Sequence, residues 1–318
     1  MVLLVGGFLY KGYAQQTPVY SQYMLNGFLM NPAVAGSEGY SAVNLTVREQ
    51  WVGFMDAPAT YSLSFQTRIL RESHISRKKS VKRRKKLPFS GGNVGLGGYI
   101  FNHRNGAVDR TGLRLTYAYH LDLDESQLSF GLSMVGYQYR VDKERIKLEE
   151  PDDQIYLNLD QSVFIPDADV GVYYISKTIW AGFSIDQLLE SSIKFGGDGY
   201  DNLVMHRNYH LMGGYDFILN KEMTLSPSAH LKVAENGKVQ ADISGKFYYD
   251  QMYWGGLTYR TGNTLVIGAG LSVDRLVFGY AFDIGLNSMM KNSYGTHEFT
   301  FIAKLGDTSR RLRWLSRY

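Results

Sequence analysis

Strict two-residue alternation over long stretches is the feature that most limits this chain. In Gly112–Leu121, Leu113, Leu115, Tyr117, Tyr119 and Leu121 share one parity, while Arg114, Thr116 and His120 share the other. Met223–Val233 repeats it: Met223, Leu225, Ala229, Leu231 and Val233 alternate with Thr224, Ser226, Ser228, His230 and Lys232. Val239–Tyr249 sets Val239, Ala241, Ile243, Phe247 and Tyr249 against Gln240, Asp242, Ser244 and Lys246. Leu276, Phe278, Tyr280, Phe282 and Ile284 continue it, with Asp283 opposite. Successive strand side chains point to opposite faces, so each stretch is a β-strand with one continuous apolar face.

A soluble sandwich also alternates, with its charges outside and its apolar residues inside. Two observations favour a membrane barrel instead. The polar parity carries Arg114, His120, Lys232, Asp242, Lys246, Asp283, Glu298 and Lys304, which suits a wet lumen. The apolar parity carries Tyr119, Tyr249, Tyr253 and Phe282 near strand ends, which suits interfacial aromatic girdles. No window approaches the roughly eighteen consecutive apolar residues of a spanning helix. A closed barrel is the other structure that satisfies its backbone in lipid. The formal net charge is only +4, which says little about partners, and there is no Cys for disulfides, thiolate zinc or thiol catalysis.

About fourteen strands are expected, beginning near Tyr40, Pro58, Val94, Thr111, Gln127, Ala168, Thr178, His206, Glu222, Val239, Met252, Asn263, Leu276 and Gly295. Alternate connections are minimal, as at Leu123–Ser126, Leu219–Lys221, Asp250-Gln251 and Asp274-Arg275, and the intervening ones include the long 141–167 and 188–205. Short periplasmic turns and longer outer loops give that phase, with both termini periplasmic in a Gram-negative outer membrane. The expected organisation is a secretory signal over 1–14, an irregular segment over 15–39, the barrel over 40–305 and a basic tail over 306–318. The signal lacks a basic leading region, which places its expected start further upstream. One connection in the periplasmic phase is long and strongly basic, with Arg77, Lys78, Lys79, Lys82, Arg83, Arg84, Lys85 and Lys86. It reads either as a solvated loop or as a contact for acidic proteins or anionic headgroups; nucleic acid is not expected as a partner.

Before the first strand lies "YSQYMLNGFLMNPAVAGSEG", Tyr20–Gly39, which fits neither a helix nor a strand. Its Asn26, Asn31 and Ser37 can satisfy backbone groups, while Tyr23, Met24, Leu25, Phe28, Leu29 and Met30 require burial. It is expected to fold inward as a partial plug, with Asn26, Asn31 and Pro32 meeting lumen residues such as Arg48 and Arg114; the alternatives are an extra strand or a mobile leader. Catalytic and metal-binding patterns are not found. His206 and His210 would stand about 13 Å apart on one strand face, beyond the reach of one metal. "LEEPDD" at Leu148–Asp153 lacks the ligand pattern of a calcium loop. In "GTHEF", His297 and Glu298 are adjacent and point to opposite faces. Neither an enzyme nor a cofactor is expected.

Several segments resemble one family in order along the chain. These are "YSQYMLNGFLMNPAVAG" at Tyr20–Gly36, "VREQWVGFMDAPATYSLSF" at Val47–Phe65, "GGNVGLGGYIFNHRNG" at Gly91–Gly106, "YAYHLDL" at Tyr117–Leu123 and "SFGLSMVGYQY" at Ser129–Tyr139. "NYHLMGGYDF" at Asn208–Phe217, "LSPSAHLKV" at Leu225–Val233, "YWGGLTYR" at Tyr253–Arg260, "GYAFD" at Gly279–Asp283 and "GTHEF" at Gly295–Phe299 continue the series. Together they resemble the PorP/SprF outer-membrane proteins of the type IX secretion and gliding systems of Bacteroidota. The resemblance implies a barrel that works with the type IX translocon and periplasmic ring proteins to export or retain a surface adhesin or other cargo, and no catalytic residues. The basic run at Arg77–Lys86 and the basic tail depart from the family pattern. The competing reading is a passive or fatty-acid-type channel for small or hydrophobic solutes.

Overall fold

The computed structural model describes residues 20–69, 93–123, 125–142, 145, 162–190, 192–193, 203–286 and 293–305. Fourteen antiparallel strands run up and down: β1 Ser41–Glu49, β2 Ala59–Ile69, β3 Val94–Asn105, β4 Val108–Leu123, β5 Ser126–Val141, β6 Ser162–Ser176 and β7 Ile179–Asp186. They continue as β8 Asn208–Tyr215, β9 Met223–Ala234, β10 Val239–Tyr249, β11 Tyr253–Arg260, β12 Thr264–Val273, β13 Leu276–Gly285 and β14 Thr296–Leu305. β8 resumes after Asp216 as Phe217–Ile218, which also pairs with β9. Each strand bonds to its neighbours in sequence, and β1 bonds to β14 from Ser41↔Leu305 to Glu49↔His297, which closes the sheet. Among the described residues, closure leaves the barrel sheet without an edge strand to template pairing with another chain, and a separate short hairpin pairs Ser192–Ile193 with Leu203–Val204.

Burial alternates along every long strand. Inward positions hold the buried polar and charged set, while Leu115, Leu132, Ile243, Leu257 and Phe299 face outward and are exposed. Among the described strand residues, ionised side chains at outward positions are Glu49, Arg104, Asp109 and Arg140, at strand ends on the rim away from Ser41 and Leu305. Between the rims the outer wall is apolar, the surface that hydrocarbon requires. The rim carrying Ser41 and Leu305 has tight turns. Asp250-Gln251 takes φ 51° and 52°, and Asp274 takes 51°, the left-handed values of turns that match strand twist.

Three boundaries differ from the sequence expectation by two residues or more, and β4 begins at Val108, three residues before Thr111. β6 begins at Ser162, six residues before Ala168, because Pro166 and Asp167 read as breakers. In the barrel Pro166 stands opposite Gly136 on the outer face, and Asp167 points to the lumen, so neither interrupts pairing. β8 begins at Asn208, leaving His206 outside the ladder; Arg207 is drawn aside by Glu190 at 3.0 Å. The signal 1–14, the basic run Arg77–Lys86, the acidic Leu148–Asp153 and the tail 306–318 lie outside the described residues.

Candidate functional site in the barrel lumen

The largest apolar cluster lies inside the barrel, where Tyr20, Tyr23, Phe28, Leu29, Met30, Ala33 and Ala35 meet Tyr99, Phe101, Tyr137 and Ile165. Two short 3-10 turns, Gly27–Leu29 and Pro32–Val34, shape the segment. Asn31 starts the second: its Oδ1 accepts from Ala33 N at 2.9 Å, as an N-cap does, and Pro32 follows where no amide donor is needed. Its Nδ2 donates to Val172 O at 2.9 Å and Phe183 O at 3.2 Å, so one amide ties the turn to β6 and β7. Burying Phe28, Leu29 and Met30 contributes about 1.5–3 kcal/mol each relative to exposure.

Glycines on the inner wall make room for this turn. A Cβ on Gly131 would overlap Ala33 N, one on Gly171 would overlap Asn31 Oδ1, and one on Gly95 would overlap Ala35 O. Phe28 lies over Gly97 in the same way. At Gly36 the chain turns toward β1 with φ 71° against the Thr67 backbone, a position that excludes other residues. A glycine track across β3, β5 and β6 is therefore shaped to the backbone of residues 28–36.

Polar clamps hold both ends. Glu298 accepts the amides of Ser21 and Gln22 at 2.8 Å each. Arg48 Nη1 reaches Glu298 at 3.0 Å and Ser21 Oγ at 2.6 Å, and its Nη2 reaches Asp283 at 2.8 Å. Ser21 Oγ donates to Asp283. Arg260 pairs with Asp242 at 2.9 Å and donates to Tyr20 O at 3.1 Å. Across the lumen Arg114 pairs with Asp169 at 2.9 Å, donates to Leu29 O at 3.0 Å and lies over the Tyr99 ring. His120 Nε2 meets Ala35 O at 3.0 Å, and Gln127 donates to Ser37 O at 3.3 Å. Ser184 donates to Met30 O at 2.6 Å. The carbonyls and amides of an irregular segment are thus bonded to the wall inside the membrane zone, as buried backbone requires.

The structure brings Asn31, Pro32 and Arg114 together on the β4–β7 side, with Asn26 donating to Ser64 at 3.1 Å on β2 and Arg48 in the opposite clamp. Sequence reasoning put Asp283, Glu298 and Asp242 on the polar parity without assigning them to the segment. It also missed Arg260, Asp169 and the contact between His210 and His230, whose ring nitrogens are 3.0 Å apart across β8 and β9. Lining up opposite charges by cross-strand register would have found the Asp242–Arg260 pair, which are direct partners on β10 and β11. His297 faces outward and bonds Tyr280 at 2.8 Å, while Glu298 beside it is buried in the lumen.

Asn31→Asp tests the turn. It keeps the cap acceptor but replaces two donated hydrogen bonds with lone pairs facing Val172 O and Phe183 O. The expected loss exceeds that of Asn31→Ala, itself about 1–3 kcal/mol for the buried groups left unpaired. The midpoint of heat-modifiable migration on gels reads both, and equal midpoints would refute the donor role.

Residues 12–302 match the family described as type IX secretion system membrane protein PorP/SprF. The chain belongs to the PorP/SprF family. No curated protein matches it in sequence. Among solved structures it is similar to the toluene transporter TbuX of Ralstonia pickettii, at 11% identity and TM-score 0.48, covering 88% of this chain and 93% of that one. It is also similar to BamA of Haemophilus ducreyi lacking POTRA domains 1–3, at 10% identity and TM-score 0.41, over 84% and 70% of the two chains. A Rhodopseudomonas blastica porin mutant follows at 8% identity and TM-score 0.33, over 84% and 99%. Similarities this low carry no argument about function. This PorP/SprF protein is an outer-membrane β-barrel whose apolar outer wall and charged inner wall are both visible in its strands.

Proposed function

We propose that this PorP/SprF protein is a non-catalytic accessory barrel of type IX secretion, which binds, exports or retains one surface adhesin or other secreted cargo. In this reading the short-turn rim and both ends of the barrel wall face the periplasm, and the long connections face outward. The observation that carries it is the crowding of the lumen: residues 20–39 are bonded to the wall on opposite sides, from Arg48 and Glu298 to Arg114 and Ser184. A barrel filled in this way acts as a partner surface through its rims. A porin would need a continuous wet path, and the packed Phe28, Asn31 and Ala33 stand in its way. Residues 20–39 act as the plug of that lumen, with Asn26, Asn31, Pro32, Arg48 and Arg114 among the contacts that hold it. Arg77–Lys86 offer a basic contact for translocon or ring components.

In vivo cross-linking of the tagged protein in native outer membranes, followed by purification and mass spectrometry, tests the reading. The expected result is one large surface protein recovered together with type IX components. Recovery of the barrel alone, with solute or lipid bound, would overturn it in favour of a channel.

A further inference from the structure

Residues 20–39 cross the lumen from one rim toward the other, and their partners locate the two ends. Ser21 Oγ accepts from Arg48 Nη1 at 2.6 Å, one residue from the end of β1. The amides of Ser21 and Gln22 meet Glu298 near the start of β14, and Tyr20 O accepts from Arg260, the last residue of β11. All of these wall positions belong to the rim away from Ser41 and Leu305. Met24 Sδ accepts from Ser228 Oγ midway along β9. At the other end Ala35 O meets His120 and Ser37 O meets Gln127, beside the turn that joins β4 to β5, and β1 then starts at Ser41. The segment therefore lies inside the barrel along β1 and runs opposite to it.

This direction separates two things that a barrel usually keeps together. An even strand count with short periplasmic turns puts both ends of the wall, Ser41 and Leu305, at the periplasmic rim. The chain end ahead of the wall is expected there as well only if nothing carries it elsewhere. Here the segment carries it the length of β1 to the opposite mouth. A way back is closed, because Tyr20, Tyr23, Phe28 and Asn31 are buried and the lumen under Tyr20 is filled by the segment itself. Length closes it too. With a signal removed after Ala14, residues 15–19 reach at most about 18 Å when fully extended. The segment spends residues 21–40 on the same descent.

We propose that the chain enters this barrel at its outer mouth, so that the residues ahead of Tyr20 are displayed at the cell surface and a surface protein can take hold of the plug by its amino end. The clamp of Arg48, Asp283 and Glu298 on Ser21 and Gln22 stands at that mouth, so its bonds are the first that a pull from outside would break. The inference rests on the orientation taken above, with the short-turn rim in the periplasm.

The chain has no Cys, so single-cysteine variants read sidedness without background. Thr17→Cys reports the amino end. Met55→Cys, at an 85% exposed residue between β1 and β2, reports the mouth away from Ser41, and Lys177→Cys, at an exposed residue between β6 and β7, reports the short-turn rim. Intact cells are treated with a maleimide carried on a polymer too large to cross the outer membrane, and again after the membrane is disrupted. Heat-modifiable migration verifies the fold of each variant, and mass spectrometry of the mature protein verifies that residue 17 is retained. The expected result is that Thr17→Cys is labelled on intact cells to the same extent as Met55→Cys, while Lys177→Cys is labelled only after disruption. Labelling of Thr17→Cys only after disruption, together with Lys177→Cys, would overturn the proposal, and so would a Thr17→Cys that stays unlabelled in both conditions. The two controls read the orientation separately: an exchange of their behaviour would refute the periplasmic short-turn rim and, with it, display at the cell surface.

Discussion

Gly131→Val combined with Gly171→Val should unseat the amino-terminal segment while leaving the barrel wall closed. Neither glycine is required by its own backbone; both are required by what lies on them. The new side chains would occupy the places of Ala33 N, the Pro32 carbonyl carbon and Asn31 Oδ1, and backbone cannot yield as a flexible side chain can. Overpacking costs typically about 1–3 kcal/mol per site, so the pair opposes seating by roughly 2–6 kcal/mol. Chymotrypsin added to the protein in nanodiscs should then cut at Tyr23 or Phe28, which are buried in the wild type. Planar-bilayer recordings should show steps of conductance absent from the wild type. Gly245→Ala is the control, because its added Cβ meets nothing within 4 Å. A double variant that stays as protease-resistant and electrically silent as the wild type would rule out the plug role of residues 20–39.

Arg48→Met should be the most destabilising single change in the lumen. Glu298 would remain buried without its cation and Asp283 would keep only Arg260, at 3.6 Å, and breaking a buried ion pair costs about 3–5 kcal/mol. For a chain of this size that lowers the midpoint of heat-modifiable migration by roughly 10 °C. The triple variant Arg48→Met, Asp283→Asn, Glu298→Gln removes all three charges. It keeps amide oxygens that can accept from Ser21 and Gln22, and should recover most of the loss. If Arg48→Met leaves the midpoint unchanged, the clamp contributes nothing, and the segment is held by packing alone.

Much of this architecture is written locally. Period-two alternation in Gly112–Leu121 or Val239–Tyr249 specifies a strand and both its faces, because side chains on a strand can only go to one side or the other. Charges such as Asp242, Asp283 and Glu298 on the polar parity, with aromatic and aliphatic residues on the other, specify which face meets lipid. Tight turns at Asp250-Gln251 and Asp274-Arg275 then order neighbours, so strand number and an up-and-down arrangement follow from the sequence. Where the sequence misleads, as at Pro166 in β6, the reason is local too: a missing amide donor tells against a strand unless the partner positions are known.

The interior could not be read in that way. Asn31 and Val172 are separated by 141 residues, and Gln22 and Glu298 by 276, yet they bond in the lumen. The glycines at 95, 131 and 171 look in sequence like ordinary loosening of strands; only the folded barrel shows that they lie on one stretch of inner wall, each against the backbone or side chain of residues 31–35. By itself the sequence determined the strands, their faces and the solvent on each side, since those depend on neighbours two residues away. Tertiary structure alone decided which lumen charge clamps which part of the segment and at which rim the segment begins. Those contacts depend on barrel circumference and strand stagger, which no single strand encodes.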